Sequence, residues 1–343
     1  MSTTTSGSLP RYIMTRLLLV IPMMWVLLTM VFLLLRVAPG DPVSAAVGDK
    51  LSPEALEVRR TALGLNRPLI VQYFEYLGDV SRFNFGNTIS DRRPVLDIIQ
   101  NQGGATLTLT LGAFLFALLI GLPLGRYAGR RRDTAADAGI RVFGVVSYAA
   151  PIFWVGLMLI LVVIRYVPGW PTFGIADATT EFYVPDRTGI ILVDALFVGD
   201  WISVGDILQH HVLPCLTLGL LLSGVIIRLV RVNVIQTMKG DYVEAARARG
   251  IPERQVIRKH AFRNALVPVI TVIGLQFALT LSGAILTEKT FNWPGLGNEL
   301  VEYITKRDYI AVQGLVTFFA LAVVLVSVFV DILNALVDPR VRY

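Results

Sequence analysis

Six stretches of this chain run for at least 18 residues without aspartate, glutamate, lysine or arginine: 17–35, 98–125, 142–164, 207–227, 264–287 and 309–330. An apolar helix of about 20 residues crosses the hydrocarbon core of a bilayer. The alternative, six buried helices of a soluble protein, needs helices far longer than the usual ~11–12 residues. The sequence therefore predicts an all-α, polytopic membrane protein with six transmembrane helices.

The composition supports this prediction. The chain is 54% hydrophobic and only 16% charged, whereas a soluble domain carries about 25% charged residues. The first apolar run follows Arg11 and Arg16 and is too long for the apolar part of a signal peptide. No small-residue cleavage site follows it, so the sequence predicts an uncleaved first helix.

Lysine and arginine are distributed unevenly between the loops. Of the 31 basic residues, 18 lie in only 72 positions, namely 1–16, 126–141, 228–263 and 340–343. Basic loops stay on the cytoplasmic side of a membrane. Both termini are therefore predicted to be cytoplasmic. The net charge of +6 is read as a topology signal, and no nucleic-acid partner is predicted, because the basic residues are split among separate short loops.

Three regions follow from this topology: the N-terminal end with the first helix (1–36), an extracytoplasmic helical cap (37–97) and a transmembrane core (98–343). Within the cap, Ser52-Pro53-Glu54 is typical of a helix start, Gly64 of a helix end, and Pro68 opens a second helix. A second outer loop covers 166–206, where alternating apolar residues at 188–198 indicate a short strand.

A short helix is predicted on the cytoplasmic side at 241–249. Asp241 suits the N-cap position, and Glu244 has the spacing of a capping box. Gly250 suits the position after the helix, and Pro252 begins the next one. The pattern fits either a rigid element that transmits a push from another protein or an ordinary capped loop helix.

The residues of this helix resemble a known family. Glu244-Ala245-Ala246, followed by Gly250, looks like the EAA motif of permease subunits of bacterial binding-protein-dependent ATP-binding-cassette importers. The following 260–268 segment departs from the commonest form of that motif and is similar to the dipeptide, oligopeptide and nickel branch. Further segments resemble that branch in the same order, most of all its B-type permeases: 38–42, 63–68, 147–154, 293–297 and 338–340.

The resemblance implies a type I ABC importer permease fold, in which 241–249 is the coupling helix that docks into a groove of an ATPase subunit. The residues that it assigns to this contact are Asp241, Glu244, Ala245, Ala246, Arg247 and Gly250. It also implies a homologous second permease, two ATPase subunits or domains that hold ATP and Mg²⁺, and an extracytoplasmic peptide-binding protein. The resemblance places the chain in a bacterial inner (plasma) membrane, and no cofactor is expected on this chain.

Other residues limit the chemistry of the chain. None of its five lysines follows a glycine, so it lacks a Walker A loop and is predicted to be a transport subunit and not an enzyme. Cys215 is the only cysteine, which excludes an internal disulfide. His210 and His211 are adjacent and point in different directions along a helix, so no metal site is predicted.

Four residues of the fifth run share one helical face: Gln276, Thr280, Gly283 and Thr287. They are candidates for the wall of a peptide pore, and helix packing is the alternative. Beyond this run, Trp293, Pro294 and Gly295 form a turn at the predicted outer mouth. That turn is a candidate gate or binding-protein contact, with an interfacial tryptophan as the alternative for Trp293.

Asp331 interrupts the last run near its inner end, where an unpaired charge is costly. We expect it to pair with an arginine such as Arg228 or Arg231. A proton-coupled secondary transporter, one competing function, needs several such charges and inverted repeats. An intramembrane enzyme, the other, needs a nucleophile–base pair or a metal cluster. Among importers, the sequence leaves dipeptides, longer peptides, nickel chelates and glutathione open as substrates.

Overall fold

The computed structural model describes residues 9–37, 43–44 and 52–337. Two of the resembling segments, 38–42 and 338–340, lie outside these residues. In the described part the chain is helical, and the only β pairing there is an isolated bridge between Asn87 and Pro94. The all-α prediction is confirmed.

The main helices are α1 (Leu9–Val37), α2 (Pro53–Ala62), α3 (Leu69–Ser81), α4 (Val95–Arg130), α5 (Ala135–Ala149), α6 (Ile152–Tyr166), α7 (Ala178–Tyr183), α8 (Ile191–Val198), α9 (Trp201–Thr237), α10 (Asp241–Ala248), α11 (Phe262–Gly283), α12 (Ile285–Thr290), α13 (Leu296–Thr305) and α14 (Tyr309–Val337). Five of them, α1, α4, α9, α11 and α14, are long and apolar enough to cross a membrane. They coincide with five of the six predicted runs.

The third predicted run, 142–164, is not one uninterrupted helix. It is divided between α5 and α6, which meet at an angle of 105°. The break falls at Ala150, which is extended (φ −69°, ψ 135°). The residue before a proline is disfavoured in the helical region, and Pro151 follows directly.

Helices α4 and α9 are held together by glycines of α4. A Cβ added at Gly121, Gly125 or Gly129 would come within 3 Å of a side chain of α9, and the three facing residues are Ile226, Val230 and Val234. The three glycines of α4 and the three facing residues of α9 both advance by four residues along the sequence. The two helices therefore run parallel and in register. Small residues let helix backbones approach closely in a membrane protein.

The parallel arrangement also settles how the bent pair crosses the membrane. Since α4 and α9 run in the same direction, the chain between them must return to its starting side. The intervening residues are all described, and α5 with α6 is the only apolar pair among them that is long enough. Counted as one broken span, this pair brings the number of spans to six.

The first and last spans pack antiparallel. The guanidinium of Arg16, near the start of α1, lies 3.1 Å from the carboxylate of Asp331, near the end of α14. Asp331 is therefore paired, but the predicted partners were wrong. Arg231 instead makes a two-point contact with the buried Asp137 at the start of α5, at 2.6 and 2.8 Å, because α9 packs beside α5 and not beside α14.

The two helices predicted within the cap are confirmed. Ser52 caps α2 by accepting a hydrogen bond from the Ala55 N–H at 3.3 Å, and Gly64 has a positive φ of 68° beyond its end. Helix α3 packs on α1, where the ring of Tyr73 meets that of Phe32 edge-on at 5.3 Å.

The strand predicted at 188–198 is wrong, because Ile191–Val198 is the helix α8. Buried Asp194 accepts hydrogen bonds from the backbone N–H groups of Arg187 and Thr188 at 3.2 and 3.1 Å. Gly199 then ends the helix in the left-handed region, at φ 76°. A short apolar run of this kind does not distinguish a strand from a buried helix.

Candidate functional site

Helix α10 begins one residue later than its predicted cap. Gly240 occupies the N-cap position, and Asp241 is the first helical residue. No described side chain hydrogen-bonds at this cap, so the predicted capping box does not form. Glu244 is exposed, so the structure gives this glutamate no capping role.

The C-terminal end of α10 has the geometry that the sequence predicts. Gly250 has a φ of 71°. Its N–H donates to the carbonyl of Arg247 at 2.9 Å, and the N–H of Ile251 donates to the carbonyl of Ala246 at 3.3 Å. These two bonds form a Schellman motif, which turns the chain sharply toward the next helix.

One face of α10 is buried against the chain that follows it. Val243 and Ala246 form a small core with Val256 and Ala261, and Ile251 packs against it. Residues Val256–Ala261 form a π-helical turn that leads into α11. Ala246 is only 5% exposed. Its predicted place on a surface that contacts another protein is inconsistent with this burial.

The remaining face of α10 is open to solvent. Tyr242, Glu244, Ala245 and Ala248 are exposed on it. Arg247 lies beside this face and holds Glu253 with two hydrogen bonds, at 3.1 and 2.8 Å. Hydrogen bonding to this guanidinium lowers the pKa of Glu253. The pair spans the turn at Gly250, but both side chains are about half exposed, so it supports the turn only modestly.

At the opposite end of the molecule, Trp293 is fully buried. Its indole N–H donates to the carbonyl of Ala105 in α4 at 2.9 Å. The ring of His211 in α9 meets it edge-on, with 4.6 Å between ring centroids. A residue in this position belongs neither to an interfacial tryptophan belt nor to a surface that receives a binding protein in this conformation.

The turn around Trp293 closes on Glu288 of α12, whose side chain has no exposed surface. One carboxylate oxygen accepts from the Thr106 hydroxyl of α4 at 2.7 Å, and the other accepts from the Asn298 N–H at 2.9 Å. Burial raises the pKa of Glu288 above its ordinary value. Gly295 and Gly297 are required here, because a Cβ on either would lie within 3 Å of this carboxylate.

Thr106 completes the connection between the two segments. Its oxygen accepts a hydrogen bond from the Leu296 N–H at 2.8 Å while its hydroxyl donates to Glu288. We call residues 288–298 together with Thr106 and Ala105 the Trp293 cluster. The sequence alone does not predict this role of Thr106. The signal that could have found it is the charged Glu288 directly after an apolar run.

The four predicted pore residues do not share one helix. Helix α11 ends at Gly283, and Thr287 lies in α12, where it is buried. Thr280 is also buried, and its hydroxyl donates to the carbonyl of Gln276 at 2.7 Å. Gln276 is half-buried at the edge of an open stripe of α11 that includes Thr271, Leu275 and Leu279. Of the four, Gln276 is the one with polar side-chain surface available.

Comparison with known proteins places this arrangement in a family. The family described as "Binding-protein-dependent transport system inner membrane component" matches residues 121–343. The corresponding N-terminal family matches residues 9–110. The chain belongs to the inner-membrane permease components of binding-protein-dependent transport systems, and it is a multi-pass protein of the inner membrane.

Within that family the chain is similar to peptide permeases. It is 38% identical to a di/tripeptide transport system permease protein, DppB, of Pseudomonas aeruginosa (strain UCBPP-PA14), over 97% of this chain and 98% of the relative. It is 36% identical to the dipeptide permease DppB of Escherichia coli (strain K12), over 97% and 99%. The glutathione permease GsiC of the same strain is 34% identical, over 97% and 99%.

Proposed function

We propose that this chain and a homologous second permease form the path through which a bacterial importer moves dipeptides and oligopeptides into the cytoplasm. The observation that carries the proposal is the exposed face of α10. This face is held rigidly between α9 and α11 on a chain that has no nucleotide-binding loop of its own. The similarity to peptide permeases over 97% of the chain supports the choice of substrate.

In this proposal the energy comes from partner ATPases, two subunits or domains, that bind ATP and Mg²⁺. Their closure displaces α10, which is built into the folded unit 241–261 and passes the displacement to α9 and α11. An extracytoplasmic binding protein delivers the peptide to the opposite side. The chain then alternates between outward-open and inward-open states without catalysing covalent chemistry.

The substrate is tested by uptake in a strain that lacks only this chain. We expect loss of labelled di-, tri- or pentapeptide uptake, restored by the plasmid-borne gene, with nickel and glutathione uptake unchanged. Loss of glutathione or nickel uptake alone would contradict the peptide assignment and favour another branch of the family. Peptide uptake that persists without bound ATPases, and collapses with the proton gradient, would favour a secondary transporter.

The orientation of the chain gives the first prediction. Lys239 and Asp186 are both exposed, whereas the native Cys215 is buried and gives no background. A membrane-impermeant thiol reagent should label Asp186→Cys in intact cells and Lys239→Cys only after lysis. The positive-inside distribution is the reason for this expectation. Labelling of Lys239→Cys in intact cells would show that the orientation is reversed.

The transport path gives the second prediction. We propose that Gln276 faces the path, with Thr280 supporting its helix from behind. Gln276→Leu should lower peptide uptake about tenfold, the equivalent of one hydrogen bond of ~1–1.5 kcal/mol. Gln276→Asn, which keeps the amide, is the matched control. A cysteine at this position that stays unreactive toward small polar thiol reagents throughout ATP turnover would contradict the proposal.

A further inference from the structure

Helix α3 of the cap lies beside the first and last membrane spans and not above their ends. The hydroxyl of its Tyr73 is 2.6 Å from that of Thr29 in α1, and the hydroxyl of Tyr76 is 2.8 Å from that of Thr317 in α14. Both threonines fall inside charge-free runs. Thr29 lies about 10 Å closer to the membrane centre than Arg36, where the first span ends. The tyrosine side chains of α3 therefore reach the depth of the acyl chains.

The chain stays at this depth to the end of α3 and beyond it. Phe85, which follows the helix, packs edge-on against Phe318 of α14, with 6.4 Å between ring centroids. The ion pair between Arg16 and Asp331 sets the register of α1 and α14, and Thr29 and Phe318 are each 13 residues from it. Contacts near both ends of α3 are thus nearly level. The helix axis runs close to the plane of the membrane, as it does in interfacial amphipathic helices.

The charged side of α3 faces the ends of these spans. Glu75 and Asp79 are one turn apart on this side, and they line a cavity together with Arg36 of α1 and Gln313 of α14. Arg36 ends the first span, and Gln313 lies in the second turn of the last one. The carboxylates of α3 are therefore turned away from the membrane centre and toward water.

The opposite side of α3 is apolar and exposed. Ile70 and Phe74 are one turn apart on this side, and they are 62% and 64% exposed. Successive residues of a helix are separated by about 100°, so Ile70 and Asp79 lie on opposite sides of α3. Because the Asp79 side faces water, the side that carries Ile70 and Phe74 faces the membrane interior.

The neighbouring face of α1 is also apolar and exposed, and it carries Met30, Leu33 and Leu34 within one turn. On a membrane span, a face of this composition suits contact with acyl chains. It adjoins the exposed side of α3 where Tyr73 contacts Thr29. The two faces therefore form one continuous apolar surface.

We propose that α3 is an interfacial helix whose Ile70 and Phe74 side chains lie among the acyl chains of the leaflet next to Arg36. In the predicted orientation this is the outer leaflet. An apolar patch of this kind marks contact with a membrane or with another protein. Contact with lipid agrees with the depth of α3 and with its direction, because a binding protein that arrives from water would meet the Glu75 side first. The inference does not depend on the identity of the transported substrate.

The test uses the complete importer in liposomes of phosphatidylethanolamine and phosphatidylglycerol, with a nitroxide label on one introduced cysteine. The native Cys215 is buried and should stay unlabelled. Ile70→Cys and Phe74→Cys place the label on the proposed lipid side. Glu75→Cys, on the polar side of the same helix, is the matched control, and Leu34→Cys in α1 is the lipid-facing reference.

The measurement is the ratio of two collision rates of the label, one with oxygen, which concentrates in lipid, and one with the water-soluble nickel chelate Ni-EDDA. We expect the ratio in Ile70→Cys and Phe74→Cys to match that in Leu34→Cys and to exceed that in Glu75→Cys several-fold. Lipids brominated near the headgroup end of the acyl chain should also quench a fluorophore at Phe74→Cys more strongly than lipids brominated near the chain terminus.

Three results would overturn the proposal. Equal collision of Ni-EDDA with the labels of Phe74→Cys and Glu75→Cys would place Phe74 in water. Exclusion of both reagents from Ile70→Cys and Phe74→Cys would show that a second permease or a binding protein covers this side. Stronger quenching by lipids brominated near the chain terminus would place α3 too deep for an interfacial helix.

Discussion

Gly250→Val is expected to abolish ATP-driven transport, with at least a tenfold loss of substrate-stimulated ATP hydrolysis. Gly250 has a φ of 71°, where a β-branched residue is strongly disfavoured. No described atom lies within 4 Å of a Cβ placed there, so the expected effect comes from backbone strain and not from a clash. Left-handed backbone costs about 1–2 kcal/mol for ordinary residues and more for valine. Relief of that strain would open the Schellman turn and release α10 from its angle.

Gly250→Asn is the control for this prediction, because asparagine tolerates the left-handed region and its side chain would enter the same open space. It should keep most of the coupled activity. The measurements are copurification of the ATPases and peptide-stimulated ATP hydrolysis in reconstituted membranes. If the valine variant folds and couples as well as the asparagine variant, the angle set by Gly250 is not part of the coupling mechanism.

Substitutions at two neighbouring alanines distinguish a role in folding of the unit 241–261 from a role in docking of the ATPase onto it. Ala245 is exposed and Ala246 is buried. Ala246→Asp should disrupt the small core with Val243 and Val256, because it buries an unpaired charge. Ala245→Asp should leave the fold intact and weaken ATPase binding. Glu244→Gln should weaken binding only if the charge itself is recognised, since no capping box depends on it.

Trp293→Ala is expected to lower the stability of the permease by about 3–5 kcal/mol, the usual cost of removing a buried tryptophan. Trp293 is fully buried, bonds to Ala105 of α4 and touches His211 of α9. Trp293→Phe keeps most of the volume and should cost only about 1 kcal/mol for the lost hydrogen bond. The shift in Tm of the purified importer, measured by thermal unfolding, compares the two variants. An unchanged Tm in Trp293→Ala with complete loss of transport would contradict the packing role and indicate a moving gate.

Glu288, which belongs to the same Trp293 cluster, makes the stability of the chain depend on pH. Because burial raises the pKa of Glu288 in the folded state, the folded chain holds this proton at pH values where the unfolded chain has released it. Stability contributed by this group is present below the ordinary glutamate pKa and is lost as the pH rises through the raised value. Glu288→Gln cannot titrate, so its Tm should change less over that interval. An equal slope in both proteins would exclude Glu288 as the cause.

Local patterns were sufficient for much of this fold. Long charge-free runs predicted five spans directly, and Gly250 and Gly64 predicted the ends of two helices. The break at Ala150 was missed because the apolar content of the run outweighed Pro151. The helix at Ile191–Val198 was missed because its short apolar run fits either secondary structure.

The candidate site was less accessible from sequence, since its contacts join distant segments. Glu288 meets Thr106 across 182 positions. The burial of Ala246 depends on Val256 and Ala261, which fold back only after the turn at Gly250. The pairing of Asp331 likewise depends on which helix lies beside α14.

The glycine-mediated contact between α4 and α9 has a mechanical consequence. Each helix contains a proline, Pro123 in α4 and Pro214 in α9. The close contacts nevertheless continue from Gly112 with Cys215 to Gly129 with Val234, on both sides of Pro123 and along the part of α9 that follows Pro214. Two helices in contact along that length cannot easily bend separately, so α4 and α9 are expected to move as one rigid unit. Only three residues, 238–240, separate this rigid unit from α10. At its other end, Ala105 contacts Trp293 and Thr106 contacts Glu288. A displacement of α10 would thus reach the other end of this unit as a rigid-body movement, with little of it absorbed on the way.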